Sequence, residues 1–205
     1  EIRQRSSNLL TKKISTVYFG GGTPSLIDPN LILAVLTELA SAGFKFVEDP
    51  ELTIEINPAT MSEKNLDAYL SMGINRFSVG AQTFDESLLK MAGRKHSASD
   101  TRETLFQLKR RKVNFSADLL FALPGQTLEA LKTDIRELLD YEPDHISPYC
   151  LTVPDKNPMS KNRPPEGAQV EMFDIIENHL TNFGMQGYEI SNYAVPGKES
   201  RHNLL

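Results

Sequence analysis

Strand-like and helix-like segments alternate regularly along this chain, about every 30 residues, and this pattern limits the possible folds to a few. The predicted strands are 15–19, 52–57, 74–80, 114–123 and 144–151. The helices predicted between and after them are 29–42, 63–72, 85–91, 100–111, 128–139 and 170–183. Such a pattern is typical of a parallel sheet covered by helices, closed either as a doubly wound sheet or as a barrel.

Polar residues at the predicted helix starts support these boundaries. Asp28 followed by Pro29, and likewise Ser62 and Thr127, have the side chains that accept hydrogen bonds from free amides at a helix N-terminus. Asp100 and Glu103 have the spacing of a capping box and predict a helix that starts at Asp100.

Composition excludes several classes of protein. The net charge of −5 counts against a nucleic-acid partner that needs a basic surface. No apolar run approaches the roughly 20 residues of a membrane helix, so we expect no integral membrane segment. The single cysteine, Cys150, excludes an internal disulfide and an all-cysteine metal site made from this chain alone. It fits a reducing compartment, and we expect a cytoplasmic protein.

Three consecutive glycines, Gly20–Gly22, follow the first predicted strand and precede Thr23 and Pro24. The stretch matches neither the Walker phosphate loop nor the GxGxxG fingerprint. A tight turn alone needs fewer glycines. We therefore interpret the loop as a place where a ligand approaches the strand edge, since a Cβ there would clash with it.

Four polar residues lie at or near the ends of successive predicted strands: Glu55, Gln82, Arg94 and Asp118. Alternation directs Glu55 to the face opposite its isoleucine neighbours, where it either needs a cationic partner or lies exposed on an edge strand. Arginine binds carboxylates in a bidentate manner. Together the two acids, the amide and the arginine indicate a small zwitterionic ligand that carries hydroxyl groups.

Other candidates are weaker. We interpret His145 as a structural histidine at a strand end and Cys150 as a small apolar filler. The basic run 109–112 lies at a predicted helix C-terminus, where positive charge suits the helix dipole. His202 lies in an irregular tail, where it either binds a metal or heme or is simply solvated.

Four long stretches resemble one protein family. They read VYFGGGTPSLI, TIEINPAT, GINRFSVGAQTFDESLLKMAGRKHS and DLLFALPGQTLEAL, and they are distributed in this order within residues 14–151. They are similar to the radical SAM branch that contains oxygen-independent coproporphyrinogen III oxidase (HemN) and the heme chaperone HemW. The tail GYEISNYAVPGKESRHNLL resembles the chaperones more than the oxidases.

The resemblance implies a partial (β/α)6 radical SAM barrel, lacking here its first strand and cluster loop. It assigns residues 1–151 to the barrel core, and 152–205 to a Pro-rich loop, the final helix and the start of a C-terminal region. It also implies S-adenosylmethionine (SAM) as cofactor. Gly21, Gly22 and Thr23 match the motif that holds its methionine part. The remaining matched SAM contacts are Glu55, Gln82, Arg94 and Asp118.

The chain departs from the family at the metal site. The family holds a [4Fe–4S] cluster on a C-x3-C-x2-C loop, and this sequence has no such loop. We therefore expect no metal ligands in this chain, cluster ligands upstream of Glu1, and a sequence cut at both ends. We also expect that the chain alone does not cleave SAM. A stoichiometric cluster after reconstitution with iron and sulfide would contradict this.

The resemblance leaves three functions open. The first is a HemW-like heme chaperone that binds heme, with His202 as the candidate ligand, and passes it to heme-accepting enzymes. The alternative is the oxidase, which decarboxylates coproporphyrinogen III, a porphyrinogen, to protoporphyrinogen IX. The third is an α/β binding protein that has kept the fold and lost the chemistry.

Overall fold

We describe a computed structural model of the chain over residues 1–5 and 12–205. The strands are β1 (Lys13–Phe19), β2 (Lys45–Ile56), β3 (Arg76–Gln82), β4 (Asn114–Phe121), β5 (His145–Cys150), β6 (Gln186–Glu189) and β7 (Asn192–Ala194). The helices are α1 (Ile2–Arg5), α2 (Pro29–Ser41), α3 (Glu63–Ser71), α4 (Glu86–Met91), α5 (Ala98–Arg111), α6 (Leu128–Leu139) and α7 (Glu166–Asn182). All five strands predicted from the sequence are confirmed.

These strands form one curled sheet in the order β1-β2-β3-β4-β5-β7-β6. Strands β1 to β5 are parallel neighbours, as expected for successive βα units of a partial barrel. The hairpin of β6 and β7 adds to β5 in the antiparallel sense. Sequence reasoning missed this hairpin because its strands have only four and three residues.

The apolar core lies between the convex face of the sheet and the helices. Ile54, Phe77 and Phe115 are neighbours on adjacent strands and are almost completely buried. Helix residues such as Leu105 and Ile135 pack in the same cluster. Burial of this apolar surface holds the helices against the sheet.

The concave face is polar, since alternate residues of each strand point to opposite faces. Thr53 and Arg76 are register partners on this face, and so are Glu55 and Ser78. On β4, Asp118 lies beside Ser147 of β5. Such a lining supplies hydrogen-bonding groups to the inside of the half-barrel.

The helix starts agree with the predicted caps except in one case. The side chains of Asp28, Ser62 and Thr127 accept hydrogen bonds from the first turns of α2, α3 and α6. The predicted capping box of Asp100 with Glu103 is wrong. Ser97 is the N-cap residue of α5, and Asp100 is the residue that bonds back to the amide of Ser97, at 2.8 Å.

Within residues 1–5 and 12–205, none of the helices has both the length and the apolar character needed to cross a membrane.

Candidate functional site

The three glycines after β1 serve two different structural purposes. A Cβ on Gly20 would lie 2.7 Å from Tyr18 Cε1 and 2.9 Å from Glu55 Oε1, so any side chain here would force Tyr18 or Glu55 to move. Gly21 and Gly22 have φ angles of +81° and +64°, which other residues rarely adopt, and an added Cβ would meet open space at either one. The loop is therefore tightly packed at its base and open at its tip, where a ligand has room.

Glu55 holds this loop from the neighbouring strand. Its Oε1 accepts a hydrogen bond of 3.0 Å from the Tyr18 hydroxyl, and its Oε2 accepts one of 3.2 Å from the Gly21 amide. Burial and the negative charge of Glu55 raise the pKa of Tyr18, so the hydroxyl remains protonated and donates. In the described part of the chain, the partners of Glu55 are neutral donors, which leaves its negative charge available to a cationic ligand.

Gln82 ends β3 in an unusual conformation. Its φ angle is +67°, and the pairing with β4 shifts register between Val79 and Gln82. The side chain lies against Gly80, where an added Cβ would be 3.2 Å from the Gln82 amide nitrogen. A left-handed backbone at a non-glycine residue persists only where its surroundings enforce it, and such residues cluster at functional sites.

Asp118 and Arg94 contribute opposite charges to the same region. Burial raises the pKa of Asp118 to about 7, and the Glu55 carboxylate raises it too, while Arg76 and Arg94 oppose the shift. Arg94 is exposed on the connection after α4. No described carboxylate forms an ion pair with its guanidinium, which is therefore available to an anionic group.

One cavity brings the predicted residues together at the carboxyl ends of the strands. Six of the seven predicted SAM contacts line it: Gly22, Thr23, Glu55, Gln82, Arg94 and Asp118. The seventh, Gly21, lies beside them and donates its amide to Glu55. Two acids, an amide and a free guanidinium around one cavity suit a small molecule with cationic, carboxylate and hydroxyl groups.

Sequence reasoning missed several residues of this cavity. Asn57, Ser78 and Gly80 also line it. The sequence also gives no sign that Tyr18 is the partner of Glu55. Period-2 alternation could have identified Ser78 and Gly80, since they share the face of Arg76 on β3.

His202 lies apart from the residues that line the cavity. Its Nδ1 is 3.1 Å from the Thr16 hydroxyl, and its ring stacks on Tyr18 with centroids 5.0 Å apart. The ring is therefore held on the concave face of the sheet, next to the strand that carries the glycine loop.

The residues present do not fit an iron–sulfur cluster. Cys150 is the only cysteine of the sequence, and no group of three or more potential metal ligands occurs in residues 1–5 and 12–205. The interpretation of Cys150 as an apolar filler is wrong, since its thiol is exposed at the end of β5. His145 is buried, with its Nε2 2.8 Å from the Tyr188 hydroxyl, as a structural histidine would be.

A comparison with protein families matches residues 1–138 to the radical SAM superfamily. Among curated proteins, the heme chaperone HemW of Lactococcus lactis is 34% identical over 202 residues, covering 94% of this chain and 53% of that protein. HemW of Bacillus subtilis is 37% identical over 202 residues, covering 93% of this chain and 52% of that protein. The chain thus spans about half the length of these relatives.

Among solved structures, coproporphyrinogen III oxidase (HemN) from Escherichia coli superposes with a TM-score of 0.82 and 22% identity. The match covers 96% of this chain and 48% of that one. At this level of identity the match shows the shared fold, which confirms the predicted partial barrel.

Proposed function

The chain belongs to the radical SAM superfamily, and from this premise we propose that it binds SAM and acts as a heme chaperone of the HemW type. The observation that carries the SAM assignment is the convergence of six predicted contacts on one cavity. The heme assignment is supported by the curated relatives, which are named heme chaperones.

The charges of the cavity match those of SAM, which carries an ammonium, a sulfonium, a carboxylate and two ribose hydroxyls. In this proposal Arg94 pairs with the carboxylate, and Asp118 and Gln82 bond the ribose hydroxyls. Glu55 offers its negative charge to the cationic end. The open tips of Gly21 and Gly22, with Thr23, leave room for the methionine part.

SAM bound to a reduced [4Fe–4S] cluster supplies radical chemistry in this superfamily. Because this chain has one cysteine, we propose that the cluster ligands lie outside these 205 residues. The residues described here would then bind and orient SAM, and they would keep the ribose away from water in the half-barrel.

Heme is the proposed cargo, with His202 as its candidate ligand and heme-accepting enzymes as partners. His202 Nδ1 is engaged with Thr16, so Nε2 is the nitrogen available to iron. A cytoplasmic location completes the proposal, since the unpaired Cys150 thiol suits a reducing compartment.

SAM binding to this chain, measured by isothermal titration calorimetry, tests the site. Arg94→Gln should weaken binding at least tenfold, since a charged hydrogen-bonded pair is lost. Lys95→Gln removes an equal charge one residue away and should bind like the wild type. Absence of saturable binding, or equal affinity of Arg94→Gln and wild type, would refute the assigned site.

A hemin titration followed by the Soret band tests the cargo. His202→Ala should lose the coordinated spectrum, whereas His179→Ala, a control on α7, should keep it. Unchanged hemin binding by His202→Ala would remove His202 as the ligand.

The oxidase alternative is tested on the full-length protein reconstituted anaerobically with SAM, a reductant and coproporphyrinogen III. Turnover to a decarboxylated porphyrinogen would establish an oxidase and overturn the chaperone proposal. Intact SAM binding without product would favour heme handling.

A further inference from the structure

The segment 200–203, called the tail segment below, crosses the concave face and is held by a buried acid of β2. Glu51 is only 5% exposed. It accepts hydrogen bonds from the amides of Arg201 at 2.9 Å and His202 at 3.1 Å, and from the Ser200 hydroxyl at 3.5 Å. Hydrogen bonds to a buried carboxylate are strong, so the tail segment has a defined position on the sheet.

This anchoring places the His202 ring against Tyr18. The two rings are stacked at 5.0 Å with planes 23° apart, and His202 Nδ1 lies 3.1 Å from Thr16 on the same strand. The stack covers one face of Tyr18, which is half-buried in the fold. The tail segment therefore restricts where the Tyr18 ring can lie.

Tyr18 in turn contacts the residues that hold the glycine loop. Its hydroxyl donates to Glu55, and the other oxygen of Glu55 accepts from the Gly21 amide. Gly20 is packed so closely against Tyr18 and Glu55 that even a Cβ would not fit. A displaced Tyr18 ring would therefore either lose its hydrogen bond to Glu55 or shift the carboxylate that accepts from the Gly21 amide.

We propose that His202 is a positioning residue for the SAM site, acting through Tyr18 on Glu55 and the glycine loop. The proposal rests on the SAM assignment made above. It gives the tail segment a role in cofactor binding that is independent of any role of His202 as a heme ligand. His202 contacts Tyr18, Tyr18 contacts Glu55, and Glu55 contacts Gly21. A change at His202 can therefore reach the glycine loop through direct contacts.

SAM affinity of four variants tests the proposal. His202→Ala should weaken binding roughly two- to tenfold, the range expected from loss of an aromatic pair. His202→Phe keeps a stacked ring and should bind within about twofold of the wild type. Tyr18→Phe keeps the stack but loses the hydroxyl and should weaken binding about tenfold. The double variant of His202→Ala with Tyr18→Phe should bind like Tyr18→Phe alone, because the two act in series.

The amide resonance of Gly21, observed by NMR without SAM, gives a readout that does not depend on the proposed function. It should shift in His202→Ala and in Tyr18→Phe but stay in place in His202→Phe. His179→Ala, a histidine change on α7, should leave both the resonance and the affinity unchanged.

Unchanged affinity and an unshifted Gly21 resonance in His202→Ala would overturn the proposal. So would equal weakening in His202→Phe and His202→Ala, since Phe retains the stack. If His202→Ala does not fold, a Tyr18→Phe variant with wild-type affinity would overturn it. A wild-type chain that does not bind SAM would refute the SAM assignment instead, and the resonance shifts would still decide whether His202 positions the loop.

Discussion

The carboxylate of Asp134, on α6, accepts a hydrogen bond of 2.7 Å from the hydroxyl of Thr83, the residue that follows Gln82. It also accepts one of 2.8 Å from the amide of Phe84. Asp134 is almost completely buried. If its carboxylate were removed, water could not reach these two donors to accept their hydrogen bonds. A helix on the convex side thus holds the turn that carries the left-handed Gln82 into the cavity.

We predict that Asp134→Ala destabilises the protein by about 1–3 kcal/mol, because two buried donors lose their acceptor. It should also weaken SAM binding through Gln82. Asp134→Asn should lose less, since its amide can both accept from Phe84 and pair with Thr83. Urea denaturation measures the difference.

The control for this prediction is Glu129→Ala on the same helix. Glu129 pairs with Lys132 on the exposed surface of α6, and its removal should change stability far less than Asp134→Ala does. An Asp134→Ala protein as stable as the wild type would show that the turn does not depend on Asp134.

Asp118 should make stability fall as pH rises. Its pKa is about 7 in the fold, above its ordinary value of 3.8, so between these values the folded state binds a proton that the unfolded state has released. Asp118→Asn should therefore gain about 2–4 kcal/mol over the wild type at pH 8, and little at pH 4. Chemical denaturation across this pH range checks it, and a difference independent of pH would contradict it.

The affinity for SAM should also depend on the ionisation of Asp118. Ionised Asp118 accepts from ribose hydroxyls, whereas the protonated acid accepts less well, so wild-type affinity should increase from pH 6 to pH 8. Asp118→Asn should bind more weakly and lose this trend. An identical pH trend in both proteins would assign the titration to another group.

His145 should make the stability of the protein fall as the pH falls. Burial, with a smaller effect of Arg76, lowers its pKa to about 3, whereas in the unfolded chain it titrates near 6.5. Stability is therefore lost as pH falls below 6.5, by roughly 3 kcal/mol at pH 4. His145→Gln should lose less stability between pH 7 and pH 4 than the wild type does. Parallel curves for the two proteins would exclude His145 as the source.

Substitutions in the glycine loop should show that Gly20 is required for close packing and Gly21 for its backbone conformation. Gly20→Ala should cost about 1–3 kcal/mol because its Cβ overlaps Tyr18 and Glu55, and Gly20→Asn should cost more. Gly21→Ala should cost about 1–2 kcal/mol for its left-handed backbone. Gly21→Asn should cost less than Gly21→Ala, because asparagine tolerates that conformation. Thermal unfolding measures all four, and the same order at both positions would refute the distinction.

Much of the fold and of the cavity follows from local patterns in the sequence. Alternation placed Glu55 opposite the buried Ile54, and the structure confirms that orientation. The cavity could be predicted in outline because the carboxyl ends of parallel strands meet at one edge of a sheet. Polar residues at those ends, such as Gln82 and Asp118, then lie together without any further information.

Local patterns thus predict the order of the elements, their inner and outer faces, and the set of residues at the strand ends. Three contacts become visible only in the folded chain: Tyr18 with Glu55, Asp134 with the turn after Gln82, and His202 with Tyr18. Each of these contacts joins residues far apart in the chain, such as Tyr18 and His202. Local periodicity carries no information about such pairs. They depend on the curvature of the sheet, and their strength depends on how deeply each group is buried.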